Sequence, residues 1–216
     1  MAYIGFMTEP ADWATTTEQQ VLDAALSLIP HKGWTRPMAL EAGRAAGLSA
    51  AETDLLIPHG PADLAALLSR RHDAAALAAL PDPAALKIRD RIRRAVEARL
   101  DAACADEAAV RRWTGFLALP PNMPLAARLL WESADGLWRW AGDTATDENH
   151  YSKRAILSAI LAAGLSIRLT SGKAAAMKHV DARIENVMAF EKWKAGVKPV
   201  DIARDVATAL GRIRYR

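Results

Sequence analysis

The side chains that most often perform catalysis or bind metals are few in this chain and lie far apart. Its five histidines are His31, His59, His72, His150 and His179, and none belongs to a Glu-x-x-His or His-x-x-x-His arrangement. Di-iron bundles and zincin sites use such spacings because a helix then presents the ligands on one face. Walker loops, Gly-x-Gly-x-x-Gly segments and Gly-x-Ser-x-Gly elbows are also absent from the sequence. We therefore predict a protein that is not an enzyme and that uses no metal and no cofactor.

Two local groups of reactive side chains have simpler interpretations. Cys104 is the single cysteine, which excludes an intramolecular disulfide and is typical of a reducing cytoplasm. Its acidic sequence neighbours disfavour a thiolate, so we interpret it as a helix-packing residue. Asp143, Asp147 and His150 could share the start of a helix and form a weak metal site. Capping and the helix dipole explain the two carboxylates without a metal.

The composition predicts a helical protein. Hydrophobic residues make up 51% of the 216 residues, helical periodicity recurs along the chain, and alternating β-branched runs are absent. The formal net charge of +3 is too small to require nucleic acid or an anionic membrane as partner. The longest charge-free apolar stretch, residues 155–167, is shorter than the roughly 20 residues of a membrane span, which predicts a buried helix. Residues 1–8 have no basic n-region and no long apolar run, so no secretory signal is expected.

Capping residues, glycines and prolines predict the helix boundaries in the first third of the chain. A Ser or Thr followed three residues later by Glu forms a capping box, which predicts helix starts at Thr15 and Ser49. Gly33 and Gly47 end the first and second helices. Pro61, just after a glycine, begins the fourth helix.

Prolines also divide the chain into larger units. Pro81 and Pro83 place a boundary between two parts of the protein. We predict four segments: a disordered N-terminal extension (1–14), a three-helix head (15–82), a larger C-terminal helical domain (83–196) and an amphipathic C-terminal helix (197–216). Within the last two segments, the predicted helices cover about residues 87–100, 125–141, 149–170, 174–194 and 199–213.

The head resembles the DNA-binding head of TetR-type repressors. The resemblance rests on "VLDAALSLIPHKGW" and "ALEAGRAAGLS", where Ala46-Gly47 makes the tight turn and Ser49 caps the third helix. That helix reads "SAAETDLLIP", so Glu52 and Asp54 would meet phosphates with negative charge, and residues 45–69 contain no Lys or Arg. Because binding to DNA depends on cations that displace its counterions, we predict an inherited scaffold without nucleic acid as a partner.

Three motifs behind this head identify a second resemblance. They are "LPPNMP", "LWRWAGDTATD" and "YSKRAIL", in that order. Together with the head they resemble the ubiquinone-biosynthesis accessory family known as COQ9. The resemblance implies a TetR-like fold, commonly a homodimer, with an apolar cavity for isoprenoid or phospholipid tails. It further implies that the protein binds membranes and presents a quinone precursor to the di-iron hydroxylase of the pathway.

The resemblance also implies a surface that faces the hydroxylase. Carried over to this sequence, the surface falls on Asp135, Leu137, Trp138, Asp147 and Tyr151. We add two neighbours to it, Trp140 and His150. This sequence departs from the eukaryotic pattern at His150, where Trp is typical. Trp140 lies on the polar side of its helix, which indicates a partner, a ligand rim or cover by another helix.

The lipid cavity is predicted among the later helices. The helix after Asp147 is apolar almost all round, and its small residues allow either close packing or room for an apolar ligand. The residues predicted to line the cavity are Leu129, Leu130, Leu137, Ile160, Leu161 and Leu165. Binding would be driven by burial of hydrocarbon, roughly 25 cal/mol per Å² removed from water.

The last helix has one apolar and one polar face. The predicted membrane-binding residues are Ile202, Val206, Leu210 and Ile213 on its apolar face, with Arg212 and Arg214 attracted to anionic lipid. The alternative is that this helix docks on its own core or on the other protomer. We expect a cytoplasmic protein that is peripherally associated with the inner membrane.

The sequence thus predicts an all-α, TetR-like protein that binds an isoprenoid quinone precursor and presents it to a hydroxylase at the membrane. The alternative function is a TetR-type ligand-responsive transcriptional regulator with the same cavity. A third class, an enzyme, would need metal or turnover of a quinone precursor.

Overall fold

The computed structural model describes the backbone of residues 10–146 and 148–196, and the side chains of residues 13–146 and 149–186. In this part of the chain all regular structure is helical, which confirms the all-α prediction. Two short 3-10 turns, at Pro83–Ala85 and Pro120–Asn122, precede α5 and α7. The α-helices are α1 (Pro10–Lys32), α2 (Arg36–Ala45), α3 (Ala50–Leu56), α4 (Pro61–Ala78), α5 (Ile88–Ala105), α6 (Glu107–Leu117), α7 (Met123–Trp140) and α8 (Glu148–Gly196).

The helix starts in the head agree with the predicted caps at all but one position. The Ser49 hydroxyl accepts from the Glu52 amide at 3.2 Å, and the Glu52 carboxylate accepts from the Ser49 amide at 2.8 Å, which confirms that capping box. The predicted capping box at Thr15 is wrong, because α1 already begins at Pro10. Proline suits the first helical position, since its fixed φ matches a helix. Residues 10–14 are therefore helical and do not form part of an irregular extension.

The helix ends follow the predicted glycines. Gly33 after α1 has φ 66° and Gly47 after α2 has φ 84°. Only glycine adopts such left-handed values without a steric cost, so each position ends its helix. The connection from α2 to α3 is then short enough to pack the two helices against each other.

Helix α6 was not predicted from the sequence. No Gly or Pro separates it from α5, and the two helices meet at Asp106, whose φ of −110° and ψ of 38° break the helix. The Asp106 carboxylate lies 2.9 Å from Nε2 of His72 on α4. This break therefore depends on a contact with a residue 34 positions away. A pattern of neighbouring residues in the sequence cannot predict such a contact.

The last described helix, α8, consists of two helical parts, in agreement with the prediction. They meet at Gly172, whose φ of 83° and ψ of 179° are not helical. The stretch Asn149–Asn186 is long and apolar enough to cross a membrane by length and composition, yet only 28% of its most apolar window is buried. The expectation of a buried helix is thus wrong for this window, because α8 packs on one side only.

Two hydrophobic cores hold the helices together. The first core joins the head to α6 and extends beyond residue 82: the indole N–H of Trp113 donates to the Ala65 carbonyl at 3.1 Å, and Trp34 stacks on Phe116 at 6.0 Å. The second core lies between α5, the end of α7 and both parts of α8. The predicted C-terminal amphipathic helix, with Ile202, Val206, Leu210, Arg212, Ile213 and Arg214, lies outside the described residues.

Candidate functional site

A groove with a volume of about 690 Å³ lies between α6, α7 and the first part of α8. Its size falls within the range of about 300–1,000 Å³ that is typical of small-molecule sites. Most of its wall is apolar, and the charged side chain of Arg111 contributes to the lining. The lining residues are Arg111, Trp113, Thr114, Leu117, Ala118, Met123, Ala126, Ala127, Leu130, Ala162, Leu165, Ser166, Leu169 and Thr170.

Three of the six residues predicted to line a cavity do line one. Leu130 and Leu165 lie in the wall of the 690 Å³ groove, and Ile160 lies in the wall of a separate cavity of about 410 Å³. The other three, Leu129, Leu137 and Leu161, are buried in the two cores and do not line either cavity. Periodicity identified these positions as inward-facing, but it does not distinguish a packed interior from the wall of a groove.

A buried arginine joins the end of α7 to the start of α8. Arg154 has only 2% of its side chain exposed and donates to Asp135 at 2.6 Å and to Asp143 at 3.1 Å. It also donates to the His150 carbonyl at 3.1 Å. The connection from α7 to α8 is therefore held on both sides by one guanidinium. The motif "YSKRAIL" contains Arg154, but apolar periodicity gave no signal that this residue would be buried.

Asp143 belongs to the same network. Burial opposes its ionisation, but hydrogen bonds from Lys153 at 2.6 Å and from Arg154 outweigh burial and hold the pKa of Asp143 below its ordinary value of 3.8. A depressed carboxyl pKa means that these ion pairs stabilise the fold at neutral pH. That stability is lost as the pH falls through the folded-state pKa. Ion pairing, rather than the predicted helix capping, accounts for this carboxylate.

Side chains that could bind a metal ion are scattered over the described part of the chain. Where side chains are described, no three of His, Cys, Asp and Glu gather closely enough to hold a metal ion. His150 makes a 3.0 Å contact through Nδ1 with the Ala145 carbonyl, and Asp147 lies outside the described residues. Burial raises the pKa of the Cys104 thiol, which agrees with the interpretation of Cys104 as a packing residue.

An aromatic cluster covers the start of α8. Tyr151 is 64% exposed, and its ring lies 5.1 Å from His150 and 6.1 Å from Trp131. Trp131 was not among the residues predicted from the sequence. Its position 20 residues before Tyr151 gives no local signal of contact, and the turn between the two helices brings the rings together.

The residues predicted to face a partner do not all lie on the surface of the protein. Leu137 is only 1% exposed and cannot face a partner, because its helix packs it into the second core. Trp138 is half-buried, donates its indole N–H to the Lys153 carbonyl at 3.1 Å and lies under the Lys153 ammonium. Trp140 packs partly buried against the second core, so cover by neighbouring helices accounts for it. Asp135 is engaged by Arg154 and by Arg139.

The third helix of the head offers acidic and apolar groups to solvent. Leu55 is 82% exposed, and the Asp54 carboxylate accepts from Arg36 at 2.8 Å. The hydrogen bonds from Ser49 lower the pKa of Glu52, so this side chain is anionic at neutral pH. A helix with this surface lacks the donors that read base edges.

The chain resembles one family of known proteins. A family model described as COQ9 matches residues 123–191, which contain α7 and most of α8. The chain is 32% identical over 151 residues to the human protein named "Ubiquinone biosynthesis protein COQ9, mitochondrial", and the match covers 66% of this chain and 48% of that protein. The protein of the same name from Rattus norvegicus gives the same identity and coverage. COQ9-A from Xenopus laevis is 31% identical over 158 residues, again covering 66% and 48%.

These matches confirm the resemblance that the sequence motifs indicated. The chain spans about half the length of the curated relatives it matches. The segment that matches the family model contains nine of the fourteen residues that line the groove, and it also contains Arg154 and Tyr151.

Proposed function

Since this chain resembles the COQ9 family, we propose that it acts in ubiquinone biosynthesis as an accessory protein that binds an isoprenoid lipid. The lipid would be a quinone precursor, held by its hydrocarbon chain in the 690 Å³ groove between α6, α7 and α8. The single observation that carries this proposal is that an apolar groove of suitable size is built largely from the segment that matches the family.

The walls of the groove suit a hydrocarbon chain. Leu130, Leu165 and Leu169 supply aliphatic surface, whereas Ala126 and Ala127 leave space beside them. Each Å² of ligand hydrocarbon that leaves water contributes roughly 25 cal/mol, so a chain of a few isoprene units gains several kcal/mol. Such affinity permits both capture and release.

The lipid would be delivered to a hydroxylase of the pathway at the membrane. A precursor that is already partly out of the bilayer costs the enzyme less free energy to bind. The aromatic cluster of Trp131, His150 and Tyr151 offers a partly exposed surface at the start of α8, and such surfaces anchor protein partners. The amphipathic segment 197–216 would bring the protein to the inner membrane from the cytoplasmic side.

Lipid extraction followed by mass spectrometry tests the groove. We expect an isoprenoid lipid or a phospholipid to co-purify with the wild-type protein. Ala127→Trp places a large ring in the groove at an exposed alanine and should remove most of the bound lipid. The matched control is Ala108→Trp, at an exposed alanine of α6 that does not line the groove. Equal lipid content in both variants would refute binding in the groove.

A gel-shift assay separates this function from that of a ligand-responsive regulator. The protein is mixed with DNA from upstream of its own gene at two salt concentrations. We expect no specific shift, because the surface of α3 is acidic and apolar. A tight, salt-sensitive complex with one DNA sequence would favour the regulator.

A further inference from the structure

The second cavity of the molecule has a different chemistry from the groove. It has a volume of about 410 Å³ and lies between the first turn of α5, the end of α7 and both parts of α8. Its wall combines apolar with cationic side chains, whereas the lining of the groove holds one charged residue. The lining residues are Ile88, Arg89, Arg91, Ile92, Trp138, Ala141, Gly142, Asp143, Asn149, Ser152, Lys153, Ile156, Leu157, Ile160 and Ile184.

We propose that this cavity is a second ligand site, which binds a single-chain amphiphile by an anionic carboxylate or phosphate head group. The inference goes beyond the function proposed for the groove and does not depend on it. It rests on Arg91, on the positive charge of the lining and on the isoleucines that surround the cavity.

Arg91 is fixed in place without a negative partner. Its Nε donates to the Leu86 carbonyl at 2.8 Å and its Nη1 donates to the Ala141 carbonyl at 2.7 Å. Both acceptors are neutral, and Arg91 forms no ion pair with any carboxylate whose side chain the structure describes. The charge of Arg91 is therefore uncompensated within those residues, and the N–H groups of Nη2 remain available to an anion. A guanidinium that is already held in position loses little entropy when it binds a carboxylate or phosphate.

The backbone at Gly142 leaves room for the guanidinium of Arg91. Gly142 has φ 88°, and a Cβ atom added to it would lie 3.3 Å from Nη1 of Arg91. A side chain at this position would crowd the guanidinium as well as strain the backbone. The glycine that ends α7 thus lets Arg91 reach the Ala141 carbonyl at the wall of the cavity.

The remaining charges around the cavity add to the positive potential. The lining holds three basic side chains, Arg89, Arg91 and Lys153, and one acidic side chain, Asp143. Lys153 pairs with Asp143 at 2.6 Å, and Arg89 pairs with Glu185 at 2.7 Å in solvent. An anion beside Arg91 would therefore meet a net positive surface.

The apolar part of the cavity suits a hydrocarbon tail. Ile88 is 42% exposed and Ile156 is 38% exposed, although both line a concave surface with Ile92 and Ile160. Large aliphatic side chains left partly in water gain free energy when a ligand covers them. A short alkyl or prenyl chain suits both this surface and the volume of the cavity.

Calorimetric titration with ten-carbon probes tests the site. We expect decanoate or decyl phosphate to bind the wild-type protein at low salt, and decanol to bind about tenfold more weakly, since it lacks the charged hydrogen bonds. Binding of either anion more tightly than decanol supports the site, and the anion that binds more tightly identifies the head group. Equal binding of decanol and both anions, or no binding of either anion, overturns the proposal.

Variants locate the binding. Arg91→Gln should weaken binding about tenfold, whereas Arg112→Gln, at an exposed arginine outside both cavities, should leave it unchanged. Because Arg91→Gln also loses structural hydrogen bonds, the exposed Ile88 supplies a second pair: Ile88→Asp should weaken binding and Ile88→Lys should preserve it. Unchanged binding in Ile88→Asp overturns the proposal. So does loss of binding in Ala127→Trp, since that variant blocks only the groove.

Discussion

At the scale of single residues, the contact between α2 and α3 shows how closely the head is packed. Gly43 faces Thr53, and a Cβ atom added to the glycine would lie 2.0 Å from the Thr53 hydroxyl oxygen. Thr53 cannot move aside easily, because it is 1% exposed and its hydroxyl donates to the Ser49 carbonyl at 2.8 Å. The two helices can therefore approach this closely only with glycine at position 43.

Gly43→Ala should lower the free energy of unfolding by about 1–3 kcal/mol, because the added methyl group overpacks this contact. Gly115→Ala is the matched control: a Cβ atom there meets nothing within 4 Å, and Gly115 lies inside α6. The control should be neutral or stabilising by up to about 1 kcal/mol, since alanine favours a helix. Urea denaturation measures both changes. Equal stability of the two variants would contradict this account of the contact.

Arg154 is the second residue on which local structure depends. It holds Asp135 on α7 and Asp143 in the connection between the helices, and its own side chain is almost completely buried. Removing it would leave two carboxylates in a partly buried site. Lys153 and Arg139 would still neutralise one carboxylate each.

Arg154→Met should lower the free energy of unfolding by roughly 3 kcal/mol, the lower end of the range for broken buried pairs, because those two cations remain. Arg139→Met removes a cation whose side chain is 72% exposed, and should cost less than about 1 kcal/mol. Thermal and urea denaturation both report the difference. A loss in Arg154→Met as small as that in Arg139→Met would show that the network adds little.

At the scale of the elements, His72 links α4 to the corner between α5 and α6. Its side chain is 3% exposed; Nε2 lies 2.9 Å from Asp106, while Nδ1 has no hydrogen-bond partner among the described residues. Burial is the largest influence and lowers the pKa of His72 below 6.5; Arg99 lowers it further, whereas Asp106 and Asp73 oppose this. The neutral imidazole is thus the form that the folded protein favours.

The pH dependence of stability follows from this depressed pKa. Below pH 6.5 the unfolded chain binds a proton at His72 before the folded protein does, so the free energy of unfolding falls as the pH falls. The slope reaches at most about 1.4 kcal/mol per pH unit and levels off below the folded-state pKa. We expect His72→Gln to flatten this decline, as measured by urea denaturation between pH 5 and 7.

His59→Gln serves as the control, because His59 has 76% of its side chain exposed. It should keep the wild-type slope. A decline that persists in His72→Gln would assign the proton uptake to another group.

Helix boundaries were predicted correctly where the residues that set them lie within a few positions of the boundary. Ser49 and Glu52 are three residues apart, and Gly33 and Gly47 need only their own backbone conformation to end a helix. Helix α6 was missed because its start depends on Asp106, which is held by His72 on another helix. Sequence patterns within a few residues carry no information about such contacts.

At the scale of the whole molecule, one face of α8 is left exposed by the other described helices. Ala155 and Ala159 are exposed and line neither cavity, and their spacing of four residues places them on one side of the helix. Small side chains allow another helix to approach closely. We propose that a second copy of the chain covers this face, as the resemblance to COQ9 implies.

Ala159→Glu should convert the protein from dimer to monomer, because a carboxylate buried between two helices has no partner there. Size-exclusion chromatography with light scattering measures the mass at micromolar concentrations. Ala108→Glu, at an exposed alanine of α6, should keep the wild-type mass. A wild-type protein that is monomeric throughout, or an Ala159→Glu variant that stays dimeric, would contradict this proposal.

The sequence by itself determined the helical class, the capping box at Ser49 and the glycine helix ends, because these depend on groups within one or two turns of each other. Its motifs also determined the resemblance to COQ9. Only the tertiary structure decided that Leu130 and Leu165 line a groove while Leu129 and Leu161 fill the cores. It also decided that Arg154 would be buried between two carboxylates. These outcomes depend on how helices distant in the chain pack together, and an apolar or charged residue looks the same in the sequence whichever neighbour it meets.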